Sequence, residues 1–138
     1  MKKTRWIEIY KSAGKINFAS LYNKIGVYLI RSKKTNKIVY IGYSGLGGKG
    51  NLAKTAIRHF QDWSNTDQKR VFFKNASNFQ IKFYICKSSG VAQKLELYLR
   101  AKLQPTKNPQ KIDKSFAGNI ENRVIDAFNN SDTFEVPF

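Results

Sequence analysis

Several side chains that can exchange protons stand at positions where packing alone does not require them. Tyr28 and Tyr40 lie in two short apolar runs, and Gly42 comes shortly after the second tyrosine. The sole histidine, His59, and a carboxylate, Glu96, follow later in the chain. Because phenol, imidazole and carboxylate groups serve in acid–base chemistry, these residues are candidates for a reactive site.

The charge of the chain predicts a polyanionic partner. Its 138 residues include 25 Lys and Arg against 9 Asp and Glu, which gives a net charge of +16. The basic residues alternate with aromatic ones, as in "KRVFFKN", and no long basic amphipathic helix is visible. This pattern favours nucleic acid over lipid as the partner, with basicity for solubility alone as the remaining alternative.

Other features restrict the class of protein. No run approaches the ~18 apolar residues that a membrane span needs, and the segment Trp6–Tyr10 is too short and too charged for a signal-peptide core. We therefore expect a soluble, cytoplasmic protein. Cys86 is the only cysteine, which excludes an intramolecular disulfide and a zinc site built from several thiolates.

The elements that carry the two tyrosines form a predicted β-hairpin. The segments Gly26–Arg31 and Lys37–Tyr43 are rich in β-branched and aromatic residues, and the polar stretch "SKKTN" between them predicts a turn. A glycine-rich stretch, "GLGGKGN", follows. Apolar residues at helical spacing then predict an amphipathic helix over Leu52–Trp63.

The second half of the core predicts a strand and a helix. Strict alternation indicates a third strand over Phe79–Cys86, and a helix is predicted over about Val91–Leu103, ending before Pro105. A further short helix is predicted over Ile120–Phe128. The order β-β-α-β-α predicts an α+β fold with a small three-stranded antiparallel sheet flanked by helices, followed by a C-terminal helical tail.

No repeat or linker divides the chain, so we predict a single domain over residues 1–138. Its motif-bearing core covers about residues 24–109, with an N-terminal arm over 1–23 and a tail over 110–138. The oligomeric state stays open, because the phenylalanines of the tail can pack on the core or on a second subunit.

The two helices present different chemistry on their flanks. On the first, Lys54 and Arg58 project away from the apolar arc as an exposed basic ridge, and His59 lies at the boundary of the core. On the second, Glu96 lies at the edge of the apolar face beside Leu99. A half-buried carboxylate needs a partner.

Taken in order, these residues resemble a known family. "GVY" at Gly26–Tyr28, "VYIG" at Val39–Gly42 and "RHF" on the following helix precede a helical Glu96, with Asn108 twelve residues later. This order and spacing closely resemble the GIY-YIG nuclease superfamily over about Lys24–Pro109.

The resemblance implies a metal-dependent endonuclease that hydrolyses phosphodiester bonds of double-stranded DNA with one Mg²⁺ or Mn²⁺ ion. Tyr28 and Tyr40 match the two motif tyrosines, and either Tyr28 or His59 would be the general base. Glu96 matches the only protein ligand to the metal. Asn108 matches the asparagine that closes the site by hydrogen bonding.

One position departs from the family pattern. The catalytic Arg of the family stands one helical turn before the His, and here that position holds Thr55. Arg58 or Lys54 could supply the missing cation to the phosphate, with Lys49 as a third candidate. If none of them does, the protein would bind DNA without cutting it.

The alternatives concern both the whole chain and its residues. One alternative is a nucleic-acid-binding or regulatory protein of the GIY-YIG fold with weak or no cleavage. Another is an RNA-binding accessory domain, an interpretation that only the charge of the chain supports. His59 and the tyrosines could be packed core residues. Glu96 could pair with Arg100 at i+4, and Asn108 could cap a turn before Pro109.

Overall fold

A computed structural model of the chain has an α+β fold and describes residues 1–9, 19–60 and 73–134. The predicted α+β class is thereby confirmed. In that part of the chain the strands are β1 (Lys2–Thr4), β2 (Ile7–Glu8), β3 (Gly26–Ser32), β4 (Ile38–Ser44), β5 (Phe79–Ile85) and β6 (Asp132–Phe134). The α-helices are α1 (Leu52–Ile57), α2 (Ser89–Leu103) and α3 (Asn122–Asn129). Short 3-10 segments lie at Ala19–Leu21, Leu46–Gly48, Arg58–Phe60, Ala76–Asn78 and Lys114–Asn119.

The strands form one mixed sheet in the order β4-β3-β5-β1-β6, with β2 also paired to β5. Strand β3 pairs antiparallel with β4 on one side and with β5 on the other, and β1 and β2 run antiparallel to β5. Only the pairing of β6 with β1 is parallel among the described strands. Strand β4, which carries Tyr40 and Gly42, therefore lies at an edge of the sheet.

The prediction of a three-stranded antiparallel sheet is wrong in strand number. The three predicted strands are present as β3, β4 and β5, but the N-terminal arm adds β1 and β2 and the tail adds β6. These additional strands are two or three residues long, too short to show an alternating pattern in the sequence. Thr4 holds β1 in place, because its buried Oγ1 accepts a hydrogen bond from the Phe83 N–H at 3.0 Å.

The sheet separates two layers of the core. On one face, which we call the α1 face, Tyr28, Ile30 and Phe83 pack with the buried side of α1. On the opposite face, the α2 face, Val27 and Leu29 pack with residues of α2 and α3. Successive residues of β3 point to opposite faces, which explains why this strand is buried over Gly26–Ile30.

The helices differ in detail from the predicted ranges. Helix α1 ends at Ile57 and continues as the 3-10 segment Arg58–Phe60, while the predicted extension to Trp63 lies outside the described residues. Helix α2 starts at Ser89, because Ser88 Oγ accepts a hydrogen bond from the Val91 N–H at 3.3 Å as an N-cap.

The tail packs on the core of the same chain. Phe128 of α3 lies with its ring centroid 5.0 Å from that of Tyr84 on the α2 face of the sheet. Among the described helices, none is both long enough and apolar enough to cross a membrane.

Candidate active site

The centre of the candidate site is a buried pair formed by a tyrosine and the histidine. Tyr28 Oη and His59 Nε2 are 2.7 Å apart, and the two residues are 2% and 4% exposed. Which of the two groups donates depends on the tautomer of the imidazole. The ring centroid of Tyr40 lies 4.5 Å from that of His59 and 6.1 Å from that of Tyr28. The two motif tyrosines and the histidine therefore form one contact cluster.

Strand register places the tyrosines together. In the β3–β4 pair, Tyr28 is directly opposite Gly42, and Ile30 is directly opposite Tyr40. Residues directly opposite one another share a face, so both phenols project from the α1 face at diagonal positions.

Gly42 is required by the position of the Tyr28 ring. A Cβ atom at residue 42 would lie 2.4 Å from Tyr28 Oη and 2.5 Å from its Cζ, well inside contact distance. Because residue 42 has no Cβ, the Tyr28 ring can lie across β4 and reach His59. This explains why Gly42 follows Tyr40 in the motif.

A change of helix type brings His59 to this cluster. Helix α1 begins after Asn51, whose Oδ1 accepts a hydrogen bond from the Lys54 N–H at 3.1 Å, and its buried side packs on the sheet. The 3-10 segment that follows carries His59, and the His59 carbonyl accepts a hydrogen bond from the Phe73 N–H at 2.8 Å. The Phe73 ring lies 6.3 Å from the imidazole and 6.1 Å from Tyr40, so it flanks the cluster.

The three candidate cations border one open cleft. This cationic cleft has a volume of about 540 Å³ and lies between the end of β4 and α1. Its lining includes Tyr43, Ser44, Lys49, Lys54, Thr55 and Arg58. The cleft is a site where an anion such as a phosphate could approach α1, with two lysines and an arginine around it.

A pair of hydroxyl groups fills the position of the missing arginine. Thr55 Oγ1 donates to Ser44 Oγ at 3.0 Å, and Ser44 Oγ also accepts from the Asn51 N–H at 2.9 Å. Thr55 therefore joins α1 to the end of β4 and brings no charge to the cleft. Any cation that meets an anion there must come from another residue of its lining.

Glu96 lies on a different layer of the fold from the tyrosine–histidine cluster. It belongs to α2, which packs on the α2 face of the sheet, and 13% of its side chain is exposed. Its Oε1 accepts a hydrogen bond from Arg100 Nη1 at 3.2 Å. Burial raises the pKa of Glu96, and the charge and hydrogen bond of Arg100 oppose that rise. The ion pair at i+4 that the sequence allowed is thus present.

Glu96 lies on the side of α2 that is near β4. Gln93, one turn earlier on the helix, donates from Nε2 to Tyr43 Oη at 3.0 Å, and Tyr43 lines the cationic cleft. Residues three apart on a helix are neighbours on one side, so Glu96 lies on the flank of α2 that borders the edge strand.

The donor set around Glu96 fits only a metal that keeps most of its water. Among the described residues, no group of three or more His, Cys, Asp or Glu side chains converges on one point. Within the same residues Glu96 Oε2 accepts no hydrogen bond, so one carboxylate oxygen is available. A single hard oxygen suits Mg²⁺ or Mn²⁺ with water and phosphate as the other ligands.

Asn108 closes the edge of the sheet beside the motif strand. Its Oδ1 accepts from the Ile41 N–H at 3.0 Å, and its Nδ2 donates to the Ile41 carbonyl at 2.8 Å. The Lys107 N–H donates to the Val39 carbonyl at 2.8 Å. The buried amide of Asn108 therefore replaces the neighbouring strand that an edge residue lacks, and fixes β4 between Tyr40 and Gly42.

The structure thus joins the predicted residues in two groups. Tyr28, Tyr40 and His59 are in contact on the α1 face, and Arg58, Lys54 and Lys49 share the cationic cleft. Glu96 and Asn108 approach the motif strand from the α2 side and from its free edge. Sequence reasoning missed Ser44 and Phe73, since a serine at a strand end and a phenylalanine in a basic stretch carry no distinctive signal.

Comparisons with known proteins give no neighbour for this chain. No family model, no curated protein and no solved structure matches it. A proposal for its activity therefore depends on its own residues and their geometry.

Proposed function

We propose that the chain is a GIY-YIG-type endonuclease that hydrolyses phosphodiester bonds of double-stranded DNA with the help of a divalent metal ion. The observation that carries this proposal is the buried hydrogen-bonded pair of Tyr28 and His59, with Tyr40 packed against the imidazole. The spacing from Glu96 to Asn108 and the place of Gly42 beneath Tyr28 support the same assignment.

The pair provides a route for the proton of an attacking water. When Tyr28 Oη takes a proton from the water, its own phenolic proton passes to His59 Nε2 over 2.7 Å, a distance within which such transfer occurs directly. Tyr40 packs against the imidazole with the two ring centroids 4.5 Å apart and the ring planes tilted by 50°, which restricts rotation of the imidazole. Either Tyr28 or His59 acts as the base in this arrangement, and the other residue of the pair passes the proton on.

The cations of the cleft act on the phosphate. Charge builds on the non-bridging oxygens as water attacks, and a cation already fixed near them stabilises that charge. Arg58 has the planar fork that grips two oxygens, whereas Lys54 and Lys49 act as point charges. With the arginine of the family replaced by Thr55, we assign this role to Arg58.

Glu96 is the residue that would hold the metal, through the oxygen that Arg100 leaves available. When bound, a divalent ion supplies Lewis-acid polarisation of the phosphate and neutralises part of its charge. Arg100 opposes the rise in the pKa of Glu96 that burial causes, and so favours the ionised carboxylate that this role requires.

Two observations favour a second candidate, a DNA-binding protein of the same fold that does not cleave. Tyr28 and His59 are almost completely buried, and Thr55 leaves the usual arginine position without a charge. A protein of this kind would keep the cationic cleft and the affinity for DNA without turnover.

Incubation with supercoiled plasmid separates the two candidates. The wild-type protein is expected to nick or linearise the plasmid in Mg²⁺ or Mn²⁺ and to leave it intact in a chelator. Glu96→Gln is expected to lose this activity while its affinity for DNA stays within about twofold of wild type, since a lost carboxylate removes only a repulsion from phosphate.

Glu121→Gln is the matched control, because this exposed carboxylate pairs with Lys94 and Arg123, neither of which has a role in the proposed reaction. It should cleave as wild type does. DNA binding without any metal-dependent cleavage by the wild-type protein would reject the nuclease and leave the binding protein.

A further inference from the structure

A second group of cations lies on the opposite face of the sheet from the Tyr28–His59 pair. Register places Lys3 directly opposite Tyr84, and Leu29 directly opposite Lys82. Arg31 is two residues after Leu29 on β3, so all three cations project from the α2 face. They stand on three adjacent strands, β3, β5 and β1, a span of about 10 Å.

The guanidinium of Arg31 is held in place by a ring on one side and a hydrogen bond at Nε. Its Cζ lies 4.1 Å from the ring centroid of Trp6, and its Nε donates to Gln80 Oε1 at 2.8 Å. Among the described residues, neither Nη1 nor Nη2 donates a hydrogen bond. A stacked guanidinium with two free parallel donors is the arrangement that binds a phosphate through two oxygens.

Lys82 adds a positive charge to the same surface, where burial and two neighbouring cations disfavour its charged form. Its Nζ lies 5.8 Å from the Trp6 ring centroid and 5.6 Å from that of Tyr84. Burial lowers the pKa of Lys82, and the nearby charges of Lys3 and Arg31 lower it further. In the free protein these like charges repel one another, and an anion placed over them would relieve the repulsion.

Glu8, a carboxylate beside this group, already has two hydrogen-bond partners. Glu8 accepts from Lys33 Nζ at 2.9 Å through Oε2 and from Gln80 Nε2 at 2.7 Å through Oε1. Burial acts to raise the pKa of Glu8, but the hydrogen bonds from Lys33 and Gln80, together with the charges of Lys33 and Arg31, lower it overall. Glu8 thus holds Gln80, which in turn orients Arg31. Within the described ranges no carboxylate forms an ion pair with Lys3 or Lys82.

We propose that Lys3, Arg31 and Lys82, arranged around Trp6, form a second DNA-binding site that holds the phosphate backbone of double-stranded DNA on the face of the sheet opposite the Tyr28–His59 pair. Duplex DNA carries one negative charge per about 1.7 Å of its axis, so a surface about 10 Å wide meets several phosphates. This inference rests on the proposed affinity for DNA and needs no cleavage.

The test measures binding of a labelled DNA duplex by fluorescence anisotropy, over a series of salt concentrations and in a chelator. Each phosphate contact contributes about 0.9 to the slope of log K against log salt, which corresponds to about an eightfold change in Kd near 0.1 M salt. Lys82→Gln and Arg31→Gln are each expected to lower the slope by about that amount and to weaken binding about eightfold at that salt.

Lys114→Gln is the matched control, because it removes the same charge from an exposed residue of a 3-10 segment in the tail. It should leave the slope unchanged, since a lysine that contacts no phosphate adds nothing to it. Thermal unfolding checks the fold of each variant. Should Arg31→Gln fail to fold, Lys82→Gln decides alone, because losing a repelled charge is not expected to lower its melting temperature.

The second site would be overturned if Lys82→Gln bound DNA with the same salt slope and affinity as wild type. It would also be overturned if Lys114→Gln lost as much slope and affinity as Lys82→Gln. The same data keep this result apart from the proposed function. A wild-type protein that binds with a steep salt dependence but does not cut rejects the nuclease alone, whereas a flat salt response rejects DNA binding as a whole.

Discussion

Replacing Gly42 with alanine tests how the site is built. The added Cβ would lie 2.4 Å from Tyr28 Oη, whereas ordinary contacts begin at 3.4 Å, so the ring must retreat by about 1 Å. Such a retreat takes the 2.7 Å distance between Tyr28 and His59 out of the range of a good hydrogen bond. Overpacking and the lost hydrogen bond together should lower the free energy of unfolding by about 2–4 kcal/mol.

For a chain of this size that loss corresponds to a fall in melting temperature of roughly 6–12 °C. A displacement of about 1 Å at reacting groups should also lower the single-turnover cleavage rate by about 10²-fold. The imidazole ¹⁵N resonances report the hydrogen bond directly, because His59 is the only histidine of the chain. They are expected to shift in Gly42→Ala.

Gly118→Ala is the control, since a Cβ there meets nothing within 4 Å and the residue has no left-handed backbone. It should unfold and cleave as wild type does. A Gly42→Ala protein with the wild-type melting temperature and unchanged His59 resonances would refute the reasoning, because Tyr28 would then not lie across β4 as described.

Three further perturbations address the edge of the sheet, the cleft and the half-buried carboxylate. Asn108→Ala leaves the N–H and carbonyl of Ile41 unpaired at a buried edge and should lower the free energy of unfolding in urea by roughly 2–4 kcal/mol. Arg58→Ala should lower the single-turnover rate at saturating protein by about 10²–10³, and Lys54→Ala by less; the reverse order would assign the phosphate to Lys54. Because burial raises the pKa of Glu96 above its ordinary value of 4.5, the native state holds this proton to higher pH than the unfolded chain does. Its contribution to stability should therefore decline as the pH rises through and above that value, and Glu96→Gln should abolish this decline in urea titrations at a series of pH values.

The central strands and the two principal helices could be predicted because their sequences repeat at the right period. Alternation over residues 79–85 and helical spacing along α2 report burial on one face, and both elements lie within two residues of their predicted bounds. The strands β1 and β6 could not be found in this way. Their pairing depends on where the two ends of the chain meet the sheet, and no local pattern contains that information.

The components of the site were visible in the sequence, but their distances were not. The resemblance selected Tyr28, Tyr40 and His59, and the structure adds that they touch. Helical periodicity placed His59 at the boundary of the core, whereas the switch to a 3-10 segment after Ile57 buries it. The hydroxyl pair of Thr55 and Ser44 depends on a contact between α1 and β4, which sequence spacing does not determine.

The claim that the Tyr28–His59 pair moves the proton of the attacking water is tested most directly by a single-turnover rate. Tyr28→Phe removes only the hydroxyl that meets His59, and Tyr22→Phe removes a hydroxyl from an exposed side chain as the control. With protein in excess over labelled duplex DNA and Mg²⁺ present, Tyr28→Phe is expected to cleave at least about 10²-fold more slowly than wild type at equal DNA occupancy, and Tyr22→Phe at the wild-type rate. Cleavage by Tyr28→Phe at the wild-type rate would contradict the account.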